Sequence, residues 1–169
     1  EPLHQLAAMI RAFRRWSLAH PVEFSLVFGS PVPGVSPAAE ECVQPDHPGA
    51  RFGQLFVNVL LDLWQRHPWP TPPPDRLRER LGAALQPLLQ NHGDMPIEVA
   101  YTFISGWVRL YGLVSLEVFD HMRWMATDPE QLFEVEVTTF LDQLRAGGTV
   151  VPPARILVNP GGCTAADQP

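Results

Sequence analysis

The sequence predicts an all-α fold: a single helical bundle of about six helices, the last two of which form a four-helix seam in a dimer. Six segments repeat their apolar residues at helical spacing, and strand-like alternation is confined to a possible short strand at Arg155–Val158. The 169 residues, 46% apolar and 18% charged, suit one globular domain. We therefore expect a single domain over residues 1–146 and a proline- and glycine-rich tail over 147–169.

The first predicted helix runs from about Leu3 to His20. Pro21 disfavours the helical conformation in the residue before it, so the helix should end near Ala19 or His20. A second, short apolar helix is expected from Phe24 to Phe28, where Gly29 and the prolines beyond it end the regular structure. The wide buried face of the first helix is formed by Leu3, Leu6, Met9, Ile10, Phe13 and Trp16.

The middle of the chain contains an amphipathic helix between two irregular segments. Ser30–Gly49 is rich in proline, glycine and acidic residues, which predicts a loop. Helix three follows from about Ala50 to Arg66, with a continuous apolar stripe opposite a polar face. The proline-rich run His67–Asp75 should then form a short, extended and stiff connector.

Two more helices follow this connector. Helix four should begin with Asp75 as its N-cap and bend or end at Pro87. Helix five, from about Pro96 to Arg123, is apolar nearly all round, which predicts burial on more than one side. It is long enough to span a membrane, but Arg109 and Glu117 interrupt it, so we expect a buried helix of a soluble domain.

Helix six should begin at the capping residue Asp128 with Pro129 in its first turn, and end at Gly147-Gly148. It has two apolar faces, of which one can serve the domain core and the other a partner. Two adjacent two-sided helices predict a symmetric homodimer. The residues expected at this interface are Leu110, Leu113, Glu117, Leu132, Phe133, Val137, Phe140 and Leu144.

Two motifs carry a family resemblance: RRWSLAHPVEFSLVFGSPVPG, Arg14–Gly34, and WVRLYGLVSLEVFDHM, Trp107–Met122. In this order they resemble the carboxyl-terminal effector-binding domain of TetR-type (TetR/AcrR) transcriptional regulators, over about Leu3–Leu144. This chain differs from the family pattern at Tyr111-Gly112, where many relatives have His-Gly. A second difference is that residues 1–169 contain no basic helix-turn-helix.

The resemblance implies a domain that binds a small molecule and forms a homodimer, while an upstream helix-turn-helix domain binds operator DNA. The expected protein is a cytoplasmic, bacterial, one-component regulator, most simply a repressor, with no membrane partner. A small apolar or aromatic effector would change its affinity for operator DNA. The net charge of −6 agrees with DNA contact only through a domain outside this chain, because phosphate binding needs clustered positive charge.

Effector pockets are built mainly from apolar and aromatic side chains. On that basis the candidate ligand-binding residues are Trp16, His20, Phe24, Phe28, Phe56, Leu60, Phe103, Trp107 and Tyr111. A simpler role competes for each: His20 can interact with the carbonyl end of its own helix, and the aromatic residues can be plain core. Arg109 can pair with an anionic ligand, although a water-facing position is favoured, and Arg11, Arg14 and Arg15 suit a solvated face.

Two alternatives remain open, a helical metal- or cofactor-dependent enzyme and a dimerisation or interaction module without a small ligand. A di-iron bundle needs inward Glu-x-x-His pairs, but Asp120 stands three residues after Glu117, and His121 comes one step late. Cys42, Asp46 and His47 could hold a metal only with further ligands. We therefore expect no catalytic residues, no metal and no cofactor.

Overall fold

A computed structural model describes residues 1–29, 48–93 and 95–146. This part of the chain contains seven α-helices and no strand, which confirms the all-α prediction. The predicted loop, apart from Pro48 and Gly49, the possible strand at Arg155–Val158 and the tail 147–169 lie outside the described residues. The helices are α1 Pro2–Ala19, α2 Pro21–Phe28, α3 Pro48–Arg66, α4 Pro74–Leu81, α5 Gln86–Asn91, α6 Ile97–Val118 and α7 Pro129–Arg145.

Helix α6 is the central element and packs against α1, α3, α4, α5 and α7. Val99, Ala100 and Val114 of this helix are fully buried, as its nearly continuous apolar sequence predicts. Among the described helices, α6 is long and apolar enough to cross a membrane by length and composition alone, a test that core helices also pass. It packs against five other helices, but only 28% of its most apolar stretch is buried, so it keeps an exposed side that includes Val108 and Leu116.

Proline sets the boundary between the first two helices. The His20 N–H donates to the Trp16 carbonyl, 3.0 Å away, and closes the last turn of α1, as predicted from Pro21. Helix α2 begins at Pro21 itself, three residues before the predicted start at Phe24. The reason is that proline needs no N–H partner in the first turn and already has a helical φ.

The region of helix four differs from its prediction. Asp75 is not the N-cap, because Pro73 occupies that position and α4 begins at Pro74. The helix is interrupted at 82–85, ahead of Pro87, which lies instead in the first turn of α5. Proline therefore starts a second helix instead of ending the first, and this division accounts for seven described helices where six were predicted.

Helix α6 ends at Val118, five residues before the predicted end at Arg123. Two residues beyond, Asp120 adopts a left-handed backbone conformation with φ of 61°, which breaks the helical hydrogen-bond pattern. Helix α7 begins as predicted: the Gln131 N–H donates to the Asp128 carboxylate at 3.0 Å.

Two arginines attach α1 to the last two helices. Arg14 makes two hydrogen bonds to the Glu117 carboxylate, at 2.8 and 2.7 Å, and both side chains are only 14% exposed. Arg14 therefore does not lie on the solvated face predicted for it. Glu117, predicted at the dimer interface, lies inside the protomer, because its carboxylate neutralises the largely buried guanidinium.

Arg11 forms a second bidentate pair one turn earlier on α1. Its Nε and Nη2 atoms lie 2.9 and 2.6 Å from the carboxylate oxygens of Glu134 on α7. The charge-assisted hydrogen bonds hold the pKa of Glu134 below its ordinary value and raise the pKa of Arg11. Arg14 also lies 3.9 Å from Glu130, so α1 and α7 run antiparallel.

Candidate functional site

An apolar cleft lies between α1, α3, α6 and α7, the four helices that contribute its walls. Its volume is about 50 Å³. Of its lining residues only Arg109 and Glu136 carry a charge. The lining comprises Leu6, Ile10, Phe56, Leu60, Phe103, Gly106, Trp107, Arg109, Leu110, Leu113, Phe133, Glu136, Val137 and Phe140.

The charged residues mark the mouth of the cleft. Arg109 is exposed and Glu136 half-buried, whereas Leu6, Leu60 and Phe133 at the inner end are buried. Within the described part of the chain neither Arg109 nor Glu136 takes part in a hydrogen bond or an ion pair. The site is therefore an apolar cleft whose two charged lining residues, one cation and one anion, are not paired with each other or with another described residue.

The small volume of the cleft limits what it accepts in this conformation. Pockets for drug-sized ligands usually measure about 300–1,000 Å³, and a space of about 50 Å³ holds only a small apolar group. Phe103, Trp107 and Phe140 in its wall are half-buried. A larger ligand therefore fits if these rings change rotamer or if most of the ligand lies across the mouth.

Four of the nine predicted ligand-binding residues line this cleft: Phe56 and Leu60 from α3, and Phe103 and Trp107 from α6. They meet there because α3 and α6 pack against each other. Sequence reasoning missed Leu6 and Ile10 as cleft residues, because their helical spacing indicated only that they are buried. The remaining wall consists mainly of residues predicted at the dimer interface.

Phe24, Phe28 and Tyr111 belong to an adjoining aromatic cluster instead of the cleft wall. The rings of Phe24 and Phe28 are 5.1 Å apart, and Tyr111 lies 6.1 Å from Phe28. The Tyr111 hydroxyl donates to the Phe28 carbonyl at 2.5 Å and so holds the end of α2 against α6. Trp107 belongs to both sites, because its ring also lies 6.2 Å from that of Phe28.

Trp16 and His20 lie at the surface, outside the cleft. The His20 Nδ1 is 3.0 Å from the Trp16 carbonyl oxygen, so the imidazole interacts with the end of α1, as the simpler of the two sequence interpretations expected. The Trp16 and His20 rings are stacked, with centroids 5.6 Å apart. The helical spacing correctly predicted that both residues lie on one face of α1, but this face extends beyond the cleft.

The residues predicted at the dimer interface divide into several groups. Leu110, Phe133, Val137 and Leu144 are buried in the protomer's own core, which leaves little area for a partner to cover. Leu113 and Phe140 line the cleft, and Glu117 pairs with Arg14. Leu132 is exposed. The outer apolar surface of α6 and α7 is instead formed by Val108, Leu116, Leu132 and Val135.

Gly106 brings α6 close to α7 at the cleft. A β-carbon added at Gly106 would lie 2.9 Å from the Cζ atom of Phe140, closer than van der Waals contact permits. At Gly112, two turns further along the same helix, an added β-carbon would meet nothing within 4 Å. The two glycines can therefore be compared directly, because only at Gly106 does the missing side chain allow close contact with α7.

We expect Gly112→Ala to raise the free energy of unfolding by about 1 kcal/mol, because alanine is the better helix former. The free energy of unfolding of Gly106→Ala should be about 1–3 kcal/mol lower than that of Gly112→Ala, since the methyl group added at Gly106 displaces the Phe140 ring. Urea unfolding followed by circular dichroism measures both. Equal stability of the two variants would show that the Phe140 ring does not resist displacement by a methyl group at Gly106.

A second, polar cleft lies between α3 and α5. Its lining is formed by Ala50, Arg51, Gln54, Asn91 and His92. Burial lowers the pKa of His92, because the charged imidazolium loses hydration there. Among the described residues no group of three histidine, cysteine, aspartate or glutamate side chains could hold a metal ion. Cys42, Asp46 and His47 lie outside the described residues.

Helices that enclose an apolar cleft with few polar groups form a small-molecule site of a common kind. Residues 6–140 match the family described as tetracyclin repressor-like, C-terminal domain. The match spans most of the chain, which therefore belongs to this family, as the two motifs predicted. Domains of this family generally dimerise and bind small-molecule effectors. No curated protein matches the chain.

Proposed function

We propose that this chain is the effector-binding and dimerisation domain of a one-component transcriptional regulator, and that a small apolar or aromatic effector binds in the cleft. The apolar cleft between α1, α3, α6 and α7 carries this proposal. DNA binding belongs to an upstream domain, and effector binding changes its affinity for the operator. In the simplest form of this proposal, the regulator is a repressor and acts in the cytoplasm.

The cleft is well placed to transmit binding. Leu6 and Ile10 of α1 form one wall, and α1 is the helix through which an upstream domain would be connected. Leu110 and Val137 bring α6 and α7 to the opposite wall. An effector that prefers one arrangement of these helices shifts the population of regulators towards it. A difference of a few kcal/mol between its affinities for two arrangements is sufficient.

The exposed sides of α6 and α7 supply the proposed dimer surface. Val108 is 64% exposed and Val135 56%, and Leu116 and Leu132 extend the two apolar stripes along their helices. A second copy related by a two-fold axis would cover both stripes and form a four-helix seam. The proposed interface keeps Leu132 from the sequence prediction. Val108, Leu116 and Val135 take the place of the predicted residues that are buried within the protomer.

Butanol, hexanol, octanol and indole are suitable probes of the cleft, because each has an apolar part that fits an apolar wall. We expect at least one to stabilise the protein saturably in thermal unfolding, with a one-site isotherm in calorimetry. Leu113→Trp places a large ring in the cleft and should abolish this binding. Leu55→Trp, on an exposed part of α3 outside the cleft, is the matched control.

The outcomes distinguish the proposal from its alternatives. Binding that survives in Leu113→Trp would place the probe elsewhere and contradict the proposed site. No saturable stabilisation by any probe would favour an interaction module that lacks a small ligand. Circular dichroism and the oligomeric state of both tryptophan variants must match those of the unmodified protein, because a folding defect would also reduce binding.

A further inference from the structure

We propose that Arg109 and Glu136 form two reciprocal ion pairs across the dimer, so that a second copy of this chain completes the cleft at its mouth. The proposal rests on the dimer proposed above and adds a specific contact and a consequence for the effector site. Both residues line the cleft, one from α6 and one from α7, and Arg109 is exposed to solvent. Neither has an ion-pair partner within its own described chain.

Two arginines of α1 that face these helices are already neutralised. Arg14 pairs with Glu117 inside the bundle, and Arg11 pairs with Glu134 at its surface. Within the described residues, Arg109 and Glu136 are an unpaired cation and an unpaired anion near the middle of the same two helices, whereas the unpaired Glu98 lies at the start of α6. Arg109 and Glu136 stand among the exposed apolar side chains of the proposed seam, where a partner would exclude water from both charges.

The positions of the two charges fit two-fold symmetry. Arg109 lies close to the middle of α6, and Glu136 lies close to the middle of α7. A two-fold axis that passes near the middle of the seam brings central residues of the two copies together. If α6 packed on its own copy, Arg109 would face Arg109. Charge complementarity therefore favours α6 of one protomer against α7 of the other.

Burial supplies the reason for pairing. A guanidinium covered by a partner without a counter-charge would be strongly unfavourable, and the same holds for a carboxylate. An ion pair between Arg109 and Glu136 of the partner subunit neutralises both charges, and two-fold symmetry forms this pair twice in the dimer. Because these residues also flank the cleft opening, the partner's α7 would close the mouth and form part of the wall around a bound effector.

Closure by the partner makes two equilibria depend on each other. If an effector binds more tightly in the covered cleft, then it also strengthens the dimer by the same factor, since the coupling is reciprocal. Hexanol or indole, whichever binds in calorimetry, should therefore lower the dimer dissociation constant. A ligand that binds without regard to the partner would leave this constant unchanged.

Charge reversal tests the pair directly. Arg109→Glu and Glu136→Arg should each weaken the dimer by about tenfold or more in sedimentation equilibrium, because like charges then face each other. The double variant Arg109→Glu/Glu136→Arg restores opposite charges and should recover most of the affinity. Arg66→Glu, on the exposed end of α3, is the control for a change in net charge and should leave the dimer unaffected.

Each outcome bears on one of the two proposals. A dimer that tolerates both single reversals overturns the ion pair but leaves the dimer itself in place. A double variant as weak as the single variants also overturns the reciprocal pair. An unmodified protein that stays monomeric at high concentration overturns the proposed dimer. Circular dichroism of every variant confirms folding, and Arg109→Gln with Glu136→Gln provides a milder pair for the same comparison.

Discussion

Replacing Phe24 with alanine is expected to lower the free energy of unfolding by about 3–5 kcal/mol. Phe24 is fully buried in α2, and its ring lies 5.1 Å from Phe28 and 5.9 Å from Phe119. Alanine would leave a cavity between α1, α2 and α6 in addition to the loss of apolar burial. Urea unfolding followed by circular dichroism, with the midpoint as readout, measures the change.

Leu26→Ala is the matched control, because Leu26 lies on the same short helix but is 76% exposed. Its effect should stay within about 0.5 kcal/mol. Similar costs for the two variants would show that α2 is not anchored through Phe24. Since Phe24 does not line the cleft, the folded Phe24→Ala protein should still bind hexanol or indole if the unmodified protein does.

The buried ion pair between α1 and α6 should give the second large effect. We expect Glu117→Leu to cost about 3 kcal/mol, the lower end for removal of one partner from a buried pair. Arg14 would lose both short hydrogen bonds and keep only the more distant Glu130, 3.9 Å away. Arg14→Met should cost a similar amount, partly because the guanidinium also lies 5.0 Å from the centre of the Phe133 ring.

A double-mutant cycle isolates the pair. Arg14→Met/Glu117→Leu removes both charges, so it should cost clearly less than the sum of the single variants. The control is the exposed pair of Arg66 and Asp62 within α3, whose coupling should be below about 1 kcal/mol. Additive effects at Arg14 and Glu117 would contradict the view that this pair holds α1 against α6.

Most of the fold could be predicted because helical periodicity is a local property of the sequence. The apolar stripe of α3 and the nearly continuous apolar surface of α6 identified both helices and their burial. Boundaries were less predictable. Pro87 is compatible with the end of one helix or the first turn of the next, and local sequence does not decide between them.

The site could be predicted only in part, for a geometric reason. Periodicity shows that Phe24 and Phe56 are buried, but it does not show which neighbouring helix fills the space beside each ring. Packing of α2 against α1 and α6 places Phe24 in the aromatic cluster beside Phe13 and Tyr111, whereas Phe56 faces the cleft. The same limit applies to Phe133 and Val137, where one apolar face was assigned to a partner and belongs to the protomer's core.

Long-range polar contacts were outside the reach of sequence patterns. Arg14 and Glu117 are separated by more than a hundred positions, and each has other charged residues nearby in sequence. Only the packing of α1 on α6 brings them together. The same reasoning explains why Arg109 could be recognised as exposed while its relation to Glu136 became visible only when α6 and α7 were placed side by side.

The helices that form the cleft also form the proposed dimer surface. Inner-facing residues of α6 and α7, such as Leu110 and Val137, line the cleft, while Val108 and Val135 face outward. A movement of either helix therefore affects both the effector site and the seam. This shared use of two helices gives a physical route from effector binding to the relative position of the two protomers.

A crystal structure of the protein soaked with hexanol or indole tests the central claim most directly. We expect electron density for the probe in the cleft between Phe103, Trp107 and Val137, with the Phe140 ring displaced if the probe exceeds the cleft volume of about 50 Å³. Density at another site with an empty cleft, in crystals of a protein that binds the probe in solution, would contradict the proposed effector site.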